Sequence, residues 1–208
     1  MSKSTSISTK KASTRNQPIN LTGQFLIAMP TLHGDSSFER AVVYICEQTT
    51  KGALGLVINR TADVKVSEIL DKLASESEGI VYTPPKAYAD QSVLLGGPVQ
   101  SERGFVLHTP FHEYASTVRI NDRLALTTSR DILEDWAQGQ GPEHMLLALG
   151  YAGWGAGQLE EELARNAWLT VAADEHVLFE TLPNEKYTQA MRLLGIDETM
   201  ISHTSGHA

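Results

Sequence analysis

Short apolar runs constrain this chain more than any other feature. They recur at 25–29, 41–46, 54–59, 93–95, 104–109, 117–120, 124–127, 145–149, 167–172 and 177–180, rich in Val, Ile, Leu and aromatic residues. Runs of this length between turn-forming residues read as strands, because a helix needs a longer periodic stripe to bury a face. Lys51-Gly52 separates the second and third runs, and Asn121-Asp122 separates the sixth and seventh. Both are hairpin punctuation, so antiparallel pairing is expected.

Four segments carry the helical period instead. Asn184 can cap a helix that sets Tyr187, Ala190, Met191 and Leu194 on one face, and Gly195 stands where a left-handed residue closes it. A second starts after Thr128 or Ser129, turns Ile132, Leu133, Trp136 and Ala137 inward, and stops before Gly139, Gly141 and Pro142. Ser67 opens a third, with Ile69, Leu70, Leu73 and Ala74 inward. A short fourth follows Gly157, with Leu159 and Leu163 four apart. Ten strands to four helices, the strands often consecutive, is the pattern of an α+β fold rather than a doubly wound parallel sheet.

Charge narrows the partners. The 208 residues hold 17 Lys and Arg against 25 Asp and Glu, a net charge of −8, which repels nucleic-acid backbones and anionic lipid. Direct nucleic-acid binding is disfavoured. Cys46 is the single cysteine and can form no intrachain disulfide, and no apolar run approaches the roughly 20 residues of a membrane helix. A cytoplasmic protein without membrane contact is expected. Residues 1–20 are Ser- and Thr-rich, with Lys3, Lys10, Lys11 and Arg15 and no acid, so they carry +4 against −12 in the rest. That composition buries too little apolar area to offset ordering. A disordered basic tail is therefore expected at 1–20, with a single domain over 21–208.

The densest glycine segment, LLALGYAGWGAGQLEEEL at 146–163, runs from a strand through Gly150, Gly153, Gly155 and Gly157 into a helix. It lacks the third glycine of a dinucleotide fingerprint and any Gly-Lys-Ser/Thr, and Glu160, Glu161 and Glu162 already complement the helix start. The expectation is a structural crossover loop with Trp154 packed over it, in which Gly155→Val costs roughly 1 to 3 kcal/mol through strain or overpacking. A second site, Gly96-Gly97-Pro98, reads as a turn whose side-chain-free backbone could present N–H donors to an anion beside Arg103.

The remaining motifs fail their own chemistry. His108 and His112 in HTPFHE are spaced as zinc ligands on a helix, but Pro110 lies between them and breaks it, so they are read as exposed loop residues. His33, Asp35, Ser36 and Ser37 lie too close together in one segment to build a catalytic triad. Cys46 alternates with Val42 and Tyr44 on one strand face and reads as a small buried hydrophobe. No catalytic residue, metal ligand or cofactor is assigned.

Five blocks in order, LTGQFLIAMP (21–30), VVYICEQTTKGALGLVINR (42–60), LLGGPVQSERGFVLHT (94–109), LALGYAGWGAGQLEEELARNAWL (147–169) and SGHA (205–208), resemble the YqgE/AlgH family of bacterial proteins. Thr61 departs from that family's usual Pro, and Tyr187 from its usual Trp. The resemblance implies an α+β fold with a bifurcated, mixed sheet curled into a pseudo-barrel and flanked by helices. It implies no established catalytic residue or cofactor, and one member is named as a regulator of alginate synthesis.

By elimination, the expected function is that of a non-catalytic regulatory protein that binds a protein or a small anionic ligand. The alternatives are a DNA-binding transcriptional regulator, for which only the basic tail speaks, and an enzyme whose site forms by long-range convergence. The candidate binding surface comprises Asn59, Arg60, Gly96, Gly97, Pro98, Arg103 and His108.

Overall fold

In the computed structural model, which describes residues 20–29, 38–76 and 90–196, ten strands form one curled sheet flanked by helices. Along the chain these are β1 (Gln24–Ala28), β2 (Val42–Thr49), β3 (Gly52–Val57), β4 (Thr61–Lys65), α1 (Val66–Glu76), β5 (Ser92–Leu95) and β6 (Val99–Thr109). There follow β7 (Thr117–Arg119), β8 (Ala125–Thr127), α2 (Asp131–Ala137), β9 (His144–Gly155), α3 (Gln158–Ala164), β10 (Trp168–Ala172), α4 (Glu175–Phe179) and α5 (Lys186–Leu193). All of the expected tail but Asn20 falls outside the described residues, as do the His33 cluster and the final SGHA block.

The main path runs β10-β1-β2-β3-β9-β6-β8-β7, antiparallel at every step, and both expected hairpins, β2 with β3 and β7 with β8, lie on it. A branch leaves the path at β9. Ala148 and Leu149 pair in parallel with β5, which pairs with β4, whereas Ala152 to Gly155 pair with β3. One edge of a single strand thus serves two wings, and the sheet is bifurcated and mixed.

Side-chain alternation shows how β9 manages this. Leu146 and Ala148 point into the inner core, and Met145 and Leu147 into an outer one. Beyond Gly150 the parity inverts, so that Tyr151 packs against the inner core while Ala152 and Trp154 face outward. Gly150 has φ +71°, a left-handed conformation that costs glycine little, and the pairing of β6 with β9 shifts between Val99 and Gly104. The glycine inserts a bulge that re-aims the strand.

Burial on both faces accounts for the three cores. The inner face, with Phe25, Tyr44, Leu56 and Leu107, is plugged by Val177 and Leu178 of α4 and by Tyr187, Ala190 and Met191 of α5. Outside one wing, α3 lays Leu159 against Val43, Val57 and Trp168; outside the other, α1 and α2 bring Leu70, Ile132 and Trp136 against Val106 and Leu147. Cys46 is buried on the same face as Val42 and Tyr44.

Local readings differ from the structure in four places. The expected strand at 177–180 is helix α4, because Asp174 Oδ1 accepts a hydrogen bond from Val177 N at 3.0 Å and the helical period buries the adjacent Val177 and Leu178 together. Strand β4 was absent from the apolar runs because its residues alternate between exposed and half-buried positions. The expected crossover loop at Gly150, Gly153, Trp154 and Gly155 is the second half of β9, and only Gly157, at φ +78°, stands at the start of α3. Helix α5 begins after Glu185 without a side-chain cap, so Asn184 is not its capping residue, although Gly195 adopts φ +71° as expected.

Candidate functional site

The seven expected site residues do not form one surface. Asn59 Oδ1 accepts from Val42 N and its Nδ2 donates to Arg40 O, each at 2.8 Å, while Arg60 Nη2 donates to Glu39 O at 2.7 Å. Both side chains brace the stretch that leads into β2. Gly96 is buried, with its N–H on Leu149 O at 2.8 Å and its carbonyl accepting from Val57 N at 2.8 Å. It fills the fork between β3 and β5. A Cβ on Gly97 would lie 2.2 Å from the Tyr151 carbonyl carbon, so this segment packs backbone on backbone and does not present the open donors expected of it. Pro98 is exposed beyond that contact.

His108 corrects a second expectation. It is fully buried in β6 rather than exposed in a loop, with Nε2 hydrogen-bonded to Thr127 Oγ1 at 2.9 Å and Nδ1 without a geometric hydrogen-bond partner among the described residues. The chain of polar atoms continues, since Thr127 Oγ1 lies 2.8 Å from Thr117 Oγ1, which accepts from Tyr114 N at 2.9 Å. Burial pushes the imidazole below its usual range, and the nearby His112 adds to the effect. Tyr114 sets its ring against both histidines, at centroid distances of 5.6 and 4.8 Å. Among the described residues, no group of three or more His, Cys, Asp or Glu is placed to hold a metal ion.

Arg103 is the residue around which a site exists. Strand β8 pairs with β6 only through Val106, Leu107 and His108, so the β6 edge at Arg103 lacks that neighbour. There the guanidinium reaches across, Nη2 donating to Thr128 Oγ1 at 2.9 Å and Nη1 to Gln100 Oε1 at 3.4 Å, and lies 5.7 Å from the Phe105 ring centre. Both hydrogen-bond partners are uncharged. On one side opens a cleft of about 350 Å³ between α1 and α2, floored by Leu73, Leu133 and Leu147 and rimmed by Lys72, Arg130, Thr127 and Ser129. Among the described residues, Glu102 is the one carboxylate in its lining, against three cations. On the other side a shallower depression of about 460 Å³ is lined by Phe105, Tyr151 and Leu126, and Arg103 and Thr128 belong to both walls.

The rim is held by its own hydrogen bonds. Asp131 Oδ1 accepts from Ser129 Oγ at 2.5 Å and from Ile132 N at 3.0 Å, and Oδ2 accepts from Ala115 N at 2.7 Å. Burial raises this carboxyl, but those bonds outweigh it and hold it below the ordinary carboxylate range. Thus the turn into α2, which carries Thr128, Ser129 and Arg130, is tied to the segment before β7. Sequence reasoning found Arg103 and missed Lys72, Thr127, Thr128, Ser129 and Arg130. The available signal was the run TTSR at 127–130, which patterning treated only as a helix start.

The fold and this site define a class: an α+β protein with a bifurcated half-barrel sheet whose outer helices frame a cationic, hydroxyl-rimmed cleft. A family model described as AlgH-like matches residues 25–199. A UPF0301 protein of Cupriavidus metallidurans is 52% identical over 195 residues, 94% of this chain and 99% of its own length, and one of Bordetella petrii is 50% identical over 189 residues, 91% and 90%. The solution structure of the AlgH protein from Pseudomonas aeruginosa superposes with a TM-score of 0.73 at 42% identity, covering 96% of this chain and 100% of that one. A crystal structure from Corynebacterium diphtheriae, 20% identical, shares the fold at a TM-score of 0.66 over 92% and 94% of the two chains. The chain belongs to the AlgH-like family.

Proposed function

We propose that this protein is a non-catalytic regulatory protein that binds a small amphipathic anion in the cleft between α1 and α2. The carrying observation is Arg103, whose guanidinium hydrogen-bonds only neutral groups among the described residues and shares its cleft with Lys72 and Arg130 in a chain of net charge −8. A cation held by neutral acceptors keeps its charge available to a ligand, and a guanidinium fork suits a carboxylate or phosphate. The floor of Leu73, Leu133 and Leu147 selects an apolar body behind the charged head. Calorimetric titration with octanoate and phenyl phosphate tests this. Arg103→Ala is expected to weaken binding by about ten-fold, the loss of one charge-assisted contact. Equal affinity in the variant, or no binding of either probe to the wild type, contradicts the reading.

A further inference from the structure

A second cleft, on the opposite side of the β4-β5 branch from α1, holds a lysine with no charged partner among the described residues. Lys186, in the first turn of α5, is 1% exposed, and its Nζ donates to Leu178 O at 2.7 Å, in the last turn of α4. Capping a helix C-terminus accounts for that one bond, yet a surface lysine would cap equally well without losing its hydration. Lys186 is among the residues that line a cleft of about 410 Å³ bounded by β5, β9 and the segment after α4. Leu94, Leu146, Phe179 and Leu182 supply apolar walls, and Ser92 and Thr181 supply hydroxyls.

We propose that Lys186 is a covalent binding site for a small uncharged aldehyde or ketone, captured from this cleft as an imine. The amine lone pair forms the C–N bond while the carbonyl π electrons move to oxygen, and a proton passes from nitrogen to that oxygen to give the carbinolamine. Water then leaves as the C=N bond forms, so no oxidant or reductant is consumed. Burial drives the reaction in two ways. It pushes the ammonium down to about 8 and so raises the fraction of nucleophilic free amine near neutral pH. It also favours the product, because an imine nitrogen is a weaker base than an amine and sits uncharged where the ammonium was poorly solvated.

The charged groups around the cleft set the ligand class. Asp90 and Glu180 line it, Glu180 Oε2 also accepting from His176 Nδ1 at 3.0 Å, while Lys65 Nζ is engaged by Asp90 O and Ser92 Oγ and His144 stacks on Phe179. Two carboxylates repel an anionic carbonyl compound and equally a carbamate formed from carbon dioxide, which leaves neutral carbonyls.

The test is reductive trapping on the wild-type full-length chain, with folding followed by circular dichroism. The protein is incubated with butanal and cyanoborohydride at pH 8, and each lysine is quantified by peptide mapping. Labelling of Lys186 at least about ten-fold faster than the exposed Lys51 is expected, with the preference shrinking as the pH rises above 8, where the Lys186 amine is already free. Replacing butanal by glyoxylate should lower Lys186 labelling by about ten-fold relative to Lys51, which lies outside the anion cleft. Lys186 labelled no faster than the surface lysines, or only once the chain unfolds in urea, overturns the proposal; equal labelling by glyoxylate overturns its restriction to uncharged compounds. Because Arg103 takes no part in this chemistry, Arg103→Ala should label normally, which separates this outcome from that of the anion cleft.

Discussion

At the residue scale, two buried bases couple this fold to pH in different windows. Lys186 is lowered from 10.5 to about 8, so below pH 8 it is protonated in both states and its desolvation cost is fully present. Between pH 8 and 10.5 the unfolded chain holds the proton and the native one does not, and stability rises across that interval. The drop corresponds to roughly 3 kcal/mol at neutral pH, offset in part by the bond to Leu178. Chemical denaturation should therefore show Lys186→Met gaining on the wild type at pH 7 and losing that advantage by pH 10.5. His108, lowered from 6.5, works at the acid end: its unfolded form takes up a proton that the buried ring resists, so stability is present above 6.5 and lost below it. Melting curves from pH 7 to 5 should separate wild type from His108→Leu, the variant losing less as the pH falls. A ring titrating at or above 6.5 by NMR would contradict the assignment.

At the element scale, the glycine-rich strand and its helix act as one clamp. Glu162 Oε2 accepts from both Trp154 Nε1 and Trp168 Nε1 at 2.8 Å, and its Oε1 accepts from Gln158 Nε2 at 2.9 Å. A single carboxylate of α3 thus ties β9 to β10. Glu162→Ala orphans two indole N–H groups on nearly buried rings and should cost about 2 to 4 kcal/mol, with the tryptophan fluorescence shifting towards that of solvated indole. The glycines divide by what surrounds them. Among the described residues, a Cβ on Gly155 meets only Gln158 Oε1, at 3.9 Å, and its φ is not left-handed, so Gly155→Val should stay within about 0.5 kcal/mol of wild type, contrary to the strain expected of a crossover loop. Gly97→Ala places a methyl against the Tyr151 and Ala152 backbone at φ +151° and should cost roughly 2 to 4 kcal/mol in urea unfolding.

At the scale of the whole molecule, β9 is the common member. It pairs with β3, β5 and β6, and its two faces contribute to all three cores, so opening either wing disturbs it. Its amides cannot exchange without breaking the fork at Gly96, whereas β7 and β10 close the two ends of the path. Native-state hydrogen exchange should find the slowest amides at 146–152 and faster exchange in β7. Slowest exchange in an end strand would show that the wings open independently of the fork.

What sequence alone determined were the properties carried by local spacing. Nine of the ten apolar runs are strands because period-two burial needs only a few residues, and Leu70, Ile132, Leu159 and Met191 all fall on helix faces that reach a core. The family resemblance came from long ordered blocks and carried the sheet's bifurcation with it. Tertiary structure decided what local spacing does not contain. Glycine density reads as a loop, yet Gly150 bulges a continuous strand and Gly97 admits a neighbouring backbone, because both roles depend on residues some fifty positions away. Arg103 was legible as a cation near a turn, but its cleft exists only where β8 stops short of β6 and α1 and α2 cover the sheet. Lys186 gave no sign at all, since a lysine in a helix's first turn reads as solvent-facing, and only the docking of α5 against α4 takes it out of water.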